Sequence, residues 1–305
     1  AIRLVKKAGA RPIIGDSPGT FFGVEAVDEV YEKTGMKKIA EEEDVELVRF
    51  DKLRRLNGYP IAECALNASF ILSLPKLKTH ALTVMTGAVK NTFGMVPGLF
   101  KVQCHRRRPS PKNFVKTIVD VYEITKPDLS IMDSIVAMEG EGPAAGNPVN
   151  LGLILAGADG VSVDAVASHI VGVPSYKDII VNEAARRGIG EADMSKIEIL
   201  GEEIGSVKAK RFRLPQTTNA VNALPDFMMN ILSAVLNFKP FIYEKLCKKC
   251  GICKQSCPGE AITIDTSRSV IDGKICIRCF CCYEVCPYKA IYIKKNLLTR
   301  LLWRG

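Results

Sequence analysis

The 305-residue chain has no apolar run of the roughly 18–20 residues that a membrane-spanning helix requires, which predicts no transmembrane segment. It also lacks the GxxxxGK[ST] phosphate loop, so residues 15–19 are interpreted as a turn. No helix–turn–helix signature and no basic patch with interleaved aromatic residues accompanies the formal net charge of +9, and binding to nucleic acid is not expected. A small anionic substrate or an acidic redox partner protein fits this charge at least as well.

Cysteine is the informative residue type. Eight of the 11 cysteines fall into two copies of the pattern C-x2-C-x2-C-x3-C-P. The first copy is Cys247, Cys250, Cys253 and Cys257, and the second is Cys276, Cys279, Cys282 and Cys286. A cubane iron–sulfur cluster needs thiolates at its iron corners, and the short spacers let one loop supply three of them.

Over about residues 241–295 this pattern resembles the two-cluster bacterial ferredoxins. The resemblance implies two [4Fe–4S] clusters, with the fourth cysteine of each run ligating the other cluster. One cluster would take Cys247, Cys250, Cys253 and Cys286, and the other would take Cys276, Cys279, Cys282 and Cys257.

Zinc ribbons and disulfides are the alternatives. Zinc ribbons use paired CxxC steps but do not need a third step followed by x3-C-P, and disulfide frameworks suit small secreted domains. The remaining cysteines, Cys64, Cys104 and Cys281, are interpreted as buried apolar thiols, although Cys281 could serve as a spare ligand. Free thiols and oxygen-sensitive clusters predict a reducing, cytoplasmic location in an anaerobic setting.

Three segments are predicted. Residues 1–214 alternate strands and helices, which is typical of an α/β domain with a largely parallel sheet and flanking helices. Residues 215–240 form a linker with an apolar helix, and residues 241–305 form a small α+β ferredoxin-like domain. Its basic tail, 294–304, is interpreted as solvated or self-packed, with contact to a membrane surface as the alternative.

The predicted elements follow from apolar periodicity and from Gly and Pro stop signals. Strands are predicted at 12–15, 45–50, 70–75, 129–133, 151–156 and 197–200, and helices at 22–34, 115–125 and 162–171. The chain begins at Ala1, inside what reads as the tail of a helix, so a missing N-terminal segment is expected.

Polar residues of the first domain follow the strands, where ligands bind in open α/β sheets. A shared pocket is expected there, with lysines for an anion and carboxylates for a metal or for proton transfer. The candidates are Lys76, Lys78, His80, Lys90, Asn91, Asp133 and Glu139, with Arg106–Arg108, Glu141 and Asp164 as further charges. Each has a structural alternative: His80 could bond a loop, Asp164 could cap the helix near Ser162, and the glutamates could be solvated.

Four segments of this domain resemble the family known as domain of unknown function 362. They are residues 74–80, 90–94, 133–143 and 159–167. Members often carry a ferredoxin domain behind this one and begin with a strand containing Lys-Pro-Asn, which is absent here and supports truncation. The resemblance implies the architecture more than a reaction.

Together these features predict an iron–sulfur redox protein. If it is an enzyme, the expected class is a ferredoxin-linked oxidoreductase. Its clusters would exchange electrons with a substrate or a further, unidentified cofactor or metal in the first domain. A non-enzymatic electron carrier or subunit and a scaffold that delivers clusters or metals are the alternatives.

Overall fold

The computed structural model describes residues 1–18, 24–98, 100–101, 104, 111–143, 146–215, 239–257, 259–276 and 280–294. The chain is a mixed α/β protein with several sheets. The apolar helix predicted in the linker and the basic tail after Lys294 lie outside the described residues.

The helices and strands of the first domain are given in chain order. The helices are α1 Ile2–Lys7, α2 Val24–Lys33, α3 Met36–Glu42, α4 Glu63–Asn67, α5 Ala88–Asn91, α6 Pro111–Thr125, α7 Gly160–Val171, α8 Ile179–Arg186 and α9 Ile204–Val207. The strands are β1 Ile13–Asp16, β2 Glu46–Arg49, β3 Leu53–Leu56, β4 Tyr59–Ala62, β5 Leu72–Ser73, β6 Lys76–His80, β7 Val84–Thr86, β8 Leu129–Glu139 and β9 Asn147–Gly157.

The main sheet is built around β8. Strands β5 and β6 pair with β8 in parallel, and β9 pairs with β8 antiparallel. Strand β7 pairs with β6 antiparallel. The prediction of a largely parallel sheet is therefore wrong, because the sheet is mixed. The cause is local: the chain turns back after Glu139 at Gly140, whose φ is +79°, and a short turn can join only antiparallel strands.

Two further predictions about strands are corrected. The apolar stretch at 70–75 contributes only Leu72–Ser73 to the sheet, and Phe70 and Leu74 are 58% and 54% exposed. Residues 197–200 form no strand. Strands β1 and β2 pair in parallel but form a small sheet of their own.

Helices α5 and α7 pack against the main sheet, and α6 and α8 pack against these two helices and against each other. Tyr122 of α6 is fully buried, and its hydroxyl accepts a hydrogen bond from the backbone N–H of Gly160 at 2.9 Å. Asp159 caps α7 through Val161 N at 2.9 Å, so the prediction that Asp164 caps this helix is wrong. Asp164 instead accepts from Ala88 N at 2.5 Å and Val89 N at 3.0 Å, at the start of α5.

The second domain has two similar halves. Its elements are β10 Lys239–Ile242, α10 Ile252–Gln255, β11 Ile262–Ile264, β12 Ser269–Ile271, α11 Cys281–Val285 and β13 Ile291–Lys294. The first strand pairs antiparallel with the last, and β11 pairs antiparallel with β12. In both halves an alanine N–H donates to a cysteine Sγ at 3.3 Å, from Ala261 to Cys257 and from Ala290 to Cys286.

Candidate functional site

Four cysteines line one cavity in the second domain. Three of them, Cys247, Cys250 and Cys253, come from the first run, and Cys286 comes from the second. Apolar side chains such as Ile264 complete its wall. The structure thus brings together the four cysteines that the crossed arrangement assigns to one cluster.

Burial and the neighbouring thiols together disfavour an uncompensated thiolate in this cavity. Burial raises the pKa of the Cys253 thiol to about 11, and the neighbouring Cys286, Cys247 and Cys250 raise it further. Nearby cations and metals have the opposite effect and stabilise thiolates. Backbone N–H groups already point at two sulfurs, from Lys249 to Cys247 at 3.4 Å and from Ala290 to Cys286 at 3.3 Å. Four thiols, apolar walls and N–H donors fit a cubane cluster.

The second cysteine set is described in part. Cys282 is buried at 6% exposure, and Cys257 packs against the same apolar core. Cys276 is half-buried, and Cys279 lies outside the described residues. Cys281, at 8% exposure, is buried as expected for an apolar thiol.

In the first domain, Lys76 and Asp133 form an ion pair. They lie opposite one another in β6 and β8, and Lys76 Nζ is 2.7 Å from Asp133 Oδ2. The hydrogen bond from Lys76 lowers the pKa of Asp133. Both side chains are about half exposed, at 46% and 51%. The two charges therefore neutralise each other at the surface.

Other candidates have structural contacts. His80 is buried at 2% exposure, and its Nδ1 accepts from the backbone N–H of Leu82 at 3.1 Å and of Thr83 at 3.4 Å. In the neutral ring the proton is then on Nε2. Asn91 Nδ2 donates to Ser73 Oγ at 2.9 Å. Lys78 and Lys90 are half-buried, and Arg106–Arg108 lie outside the described residues.

Glu139 is held by Arg213, a residue that the sequence analysis missed. Glu139 Oε2 accepts from the backbone N–H of Arg213 at 2.9 Å, and Oε1 accepts from its Nε at 2.6 Å. Burial opposes ionisation of Glu139, but these contacts outweigh it and hold the pKa below its usual value. Because Lys78 is paired with Met138, alternation along β8 directs Glu139 to the opposite face from Lys78. The candidate residues of the first domain that the structure describes therefore do not meet in one shared pocket; Glu139 and Lys78 point to opposite faces of the sheet.

A polar group without a partner marks the end of β6. The Thr79 hydroxyl is buried and has no hydrogen-bond partner. It lies beside Gly142, whose carbonyl oxygen accepts from Ala81 N at 3.0 Å. Buried hydroxyls in native proteins are nearly always satisfied by protein, water or ligand. Among the described residues, the hydroxyls of Thr86, Ser130 and Ser134 are buried in the same way, so Thr79 is one of several positions where a water molecule or a ligand could supply the missing partner.

The second domain contacts the same loop. Tyr283 OH donates to the carbonyl oxygen of Glu141 at 3.5 Å, and Lys289 Nζ donates to that of Gly146 at 3.4 Å. Sequence patterns give no signal for such contacts, because each joins residues more than a hundred positions apart.

Within the described part of the chain, no three His, Cys, Asp or Glu side chains converge closely enough for a single metal ion. No helix there is long and apolar enough to cross a membrane.

Comparisons with known proteins match two separate parts of the chain. A family model described as a domain of unknown function (DUF362) matches residues 1–169, and one described as a 4Fe-4S dicluster domain matches residues 239–287. The thylakoid-associated protein sll1697 of Synechocystis sp. (strain ATCC 27184 / PCC 6803 / Kazusa) is 36% identical over 176 residues. The match covers 55% of this chain and 54% of that protein, so the chain spans about half the length of the curated relative it matches.

Proposed function

We propose that this chain, which belongs to the DUF362 family and carries a 4Fe-4S dicluster domain, is an iron–sulfur redox protein with two [4Fe–4S] clusters. Electrons pass between these clusters and a ligand in the first domain. The observation that carries the proposal is the single cavity lined by Cys247, Cys250, Cys253 and Cys286. When bound, clusters of this class exchange single electrons at low potential.

The chain's own residues would hold the two clusters in a crossed arrangement. The first cluster is held by the four cysteines of the cavity, and the second by Cys276, Cys279, Cys282 and Cys257. Backbone N–H groups that point at sulfur, such as that of Ala290, stabilise thiolates and tune the reduction potential. The apolar walls exclude water from the sulfurs.

The ligand of the first domain is placed at the end of β6. Thr79 offers an unpaired hydroxyl there, and Tyr283 of the second domain reaches Glu141 in the adjacent loop. His80 and Ala81 shape the turn, whereas Lys78 points to the opposite face of β6 from Thr79. A substrate or cofactor with a polar group fits the Thr79 position, and together with the clusters this makes an oxidoreductase the favoured class.

Two cysteine variants test the crossed arrangement. Cys286→Ser removes a proposed ligand, and Cys281→Ser, its matched control, removes a buried cysteine outside the proposed sets. Iron, acid-labile sulfide and the electron paramagnetic resonance spectrum of the reduced protein are measured after anaerobic purification. We expect Cys286→Ser to lose or convert one cluster and Cys281→Ser to retain both. Equal cluster content in the two variants would argue against the proposed ligands.

A third variant tests where the ligand binds. Thr79→Val keeps the shape of the side chain and removes the hydroxyl, so the fold should be as stable as before or more stable. We expect the variant to lose a small molecule that the wild-type protein retains on purification.

The cytoplasmic location stays a prediction. The relative from Synechocystis is described as a thylakoid-associated protein.

A further inference from the structure

A run of positive charge surrounds the first cysteine motif. Residues 245–254 contain four lysines and no aspartate or glutamate, and they include three cysteines of the cavity. All four lysines are exposed. We refer to them as the lysine collar: Lys245, Lys248, Lys249 and Lys254.

Inside the collar the cavity reaches the surface. Cys250 is exposed, and Ile252 and Tyr288, which line the same cavity, are 36% and 47% exposed. Exposed apolar groups bordered by charge are the usual composition of a transient protein interface. A partner that covers the collar would therefore lie against a ligand thiol of the first cluster.

The two hydrogen bonds to the first domain described above do not involve the collar lysines. They come from Tyr283, within the second motif, and from Lys289, which follows that motif. Of the collar residues, Lys249 Nζ bonds to the carbonyl oxygen of Thr266 within its own domain.

We infer that the lysine collar is the docking surface for an acidic protein that carries single electrons. This inference rests on the proposed function, because it requires a cluster beneath the collar. Cations around a redox centre attract a partner of opposite charge and raise the association rate by roughly 10- to 1,000-fold. A protein carrier must approach a cluster closely, whereas a lipid surface or a nucleic acid gains nothing from the thiol edge.

The test compares two charge reversals of equal size in the full chain, purified anaerobically with its iron. Lys245→Glu/Lys254→Glu changes the collar, and Lys208→Glu/Lys210→Glu changes two exposed lysines of the first domain. Lys248 is retained because it lines the cavity, and Lys249 because it has a left-handed φ of +53° and bonds Thr266. The probe is an acidic [2Fe–2S] ferredoxin immobilised for surface plasmon resonance.

We expect the control variant to associate like the wild type and the collar variant to associate at least about tenfold more slowly at low salt. The difference should shrink as ionic strength rises and the screening length falls below roughly 10 Å. Equal rates for all three proteins, or an equal loss in both variants, would overturn the inference. Binding to phosphatidylglycerol vesicles through Lys245 and Lys254, without binding to the ferredoxin, would overturn it in favour of a lipid surface.

Iron content separates this inference from the proposed function. Wild-type protein that holds no iron would refute the proposed function and the inference with it. Wild-type protein that holds both clusters but binds the ferredoxin independently of the collar would refute the inference alone. If the collar only sets the reduction potential, the collar variant would show a shifted potential with unchanged binding, which also refutes docking.

Discussion

The hydroxyl of Tyr283 donates a hydrogen bond to the backbone oxygen of Glu141 at 3.5 Å. Tyr283 directly follows the buried Cys282, and Glu141 directly precedes Gly142, whose carbonyl oxygen bonds Ala81. A short series of contacts thus joins the cysteine-rich domain to the end of β6, where the Thr79 hydroxyl is unpaired.

Replacing Tyr283 by phenylalanine should loosen this contact without removing a cluster. The lost hydrogen bond stabilises the contact by about 0.5–1.5 kcal/mol. Amide hydrogen exchange over residues 139–143 should become faster, whereas iron content should stay at the wild-type value. Tyr292→Phe is the matched control, because Tyr292 is 44% exposed and stacks on Phe241 in the outer strands of the same domain. Identical exchange in the two variants would contradict the role given to Tyr283.

Gly142 lies so close to β6 that any side chain at position 142 should clash with the strand. A Cβ on Gly142 would lie 2.1 Å from the carbonyl oxygen of Thr79. Gly142→Ala should therefore displace the loop and lower the free energy of unfolding by about 1–3 kcal/mol. Gly205→Ala is the control, because nothing lies within 4 Å of its added Cβ, and alanine is a better helix former than glycine. Denaturant unfolding of both variants decides the matter, and equal stability would contradict the packing described.

The Glu139–Arg213 pair should contribute more to the free energy of unfolding than the Lys76–Asp133 pair. Glu139 is buried and accepts backbone and side-chain hydrogen bonds, so Glu139→Gln should cost about 1–3 kcal/mol. Asp133→Asn breaks a half-exposed pair and should cost less than about 1 kcal/mol. Because the pKa of Glu139 is lowered in the folded state, its contribution is present above the unfolded pKa and is lost as pH falls through the folded one. Unfolding at neutral and acidic pH measures both effects, and a larger loss for Asp133→Asn would refute the ranking.

The convergence of four cysteines on one cavity could be predicted because the spacing of three of them is local in sequence. The C-x2-C-x2-C-x3-C spacing places three thiols in one loop, and the structure brings Cys286 to the same cavity. Helices α6 and α7 were also predicted from apolar periodicity, to within a few residues of their observed starts.

The direction of the strands and the contacts of the strand-end residues could not be predicted. Residues 140–143 read as a ligand loop, and nothing in their composition states that β9 returns antiparallel to β8. The partner of Glu139 lies 74 positions away, at Arg213. The cap supplied by Asp164 acts on α5, a helix far earlier in the chain. Such long-range pairs depend on the completed fold and not on periodicity.

The buried carboxyl groups of the first domain predict a stability that falls as pH rises. Burial raises the pKa of Asp164 to about 8 and that of Asp178 to about 6, from a value of 3.8. The folded state then keeps protons that the unfolded state releases, so stability is greatest below about pH 4 from these groups and is lost as pH rises toward about 8. Asp164→Asn should flatten the dependence of Tm on pH over this window. The exposed Asp193→Asn should leave it unchanged, and equal slopes in the two variants would contradict the assignment.

Native mass spectrometry of the anaerobically purified protein tests the central claim most directly. The account predicts the polypeptide mass plus two [4Fe–4S] clusters, with a further small molecule that Thr79→Val protein does not retain. A mass corresponding to bound zinc, or to the polypeptide without iron and sulfide, would contradict it.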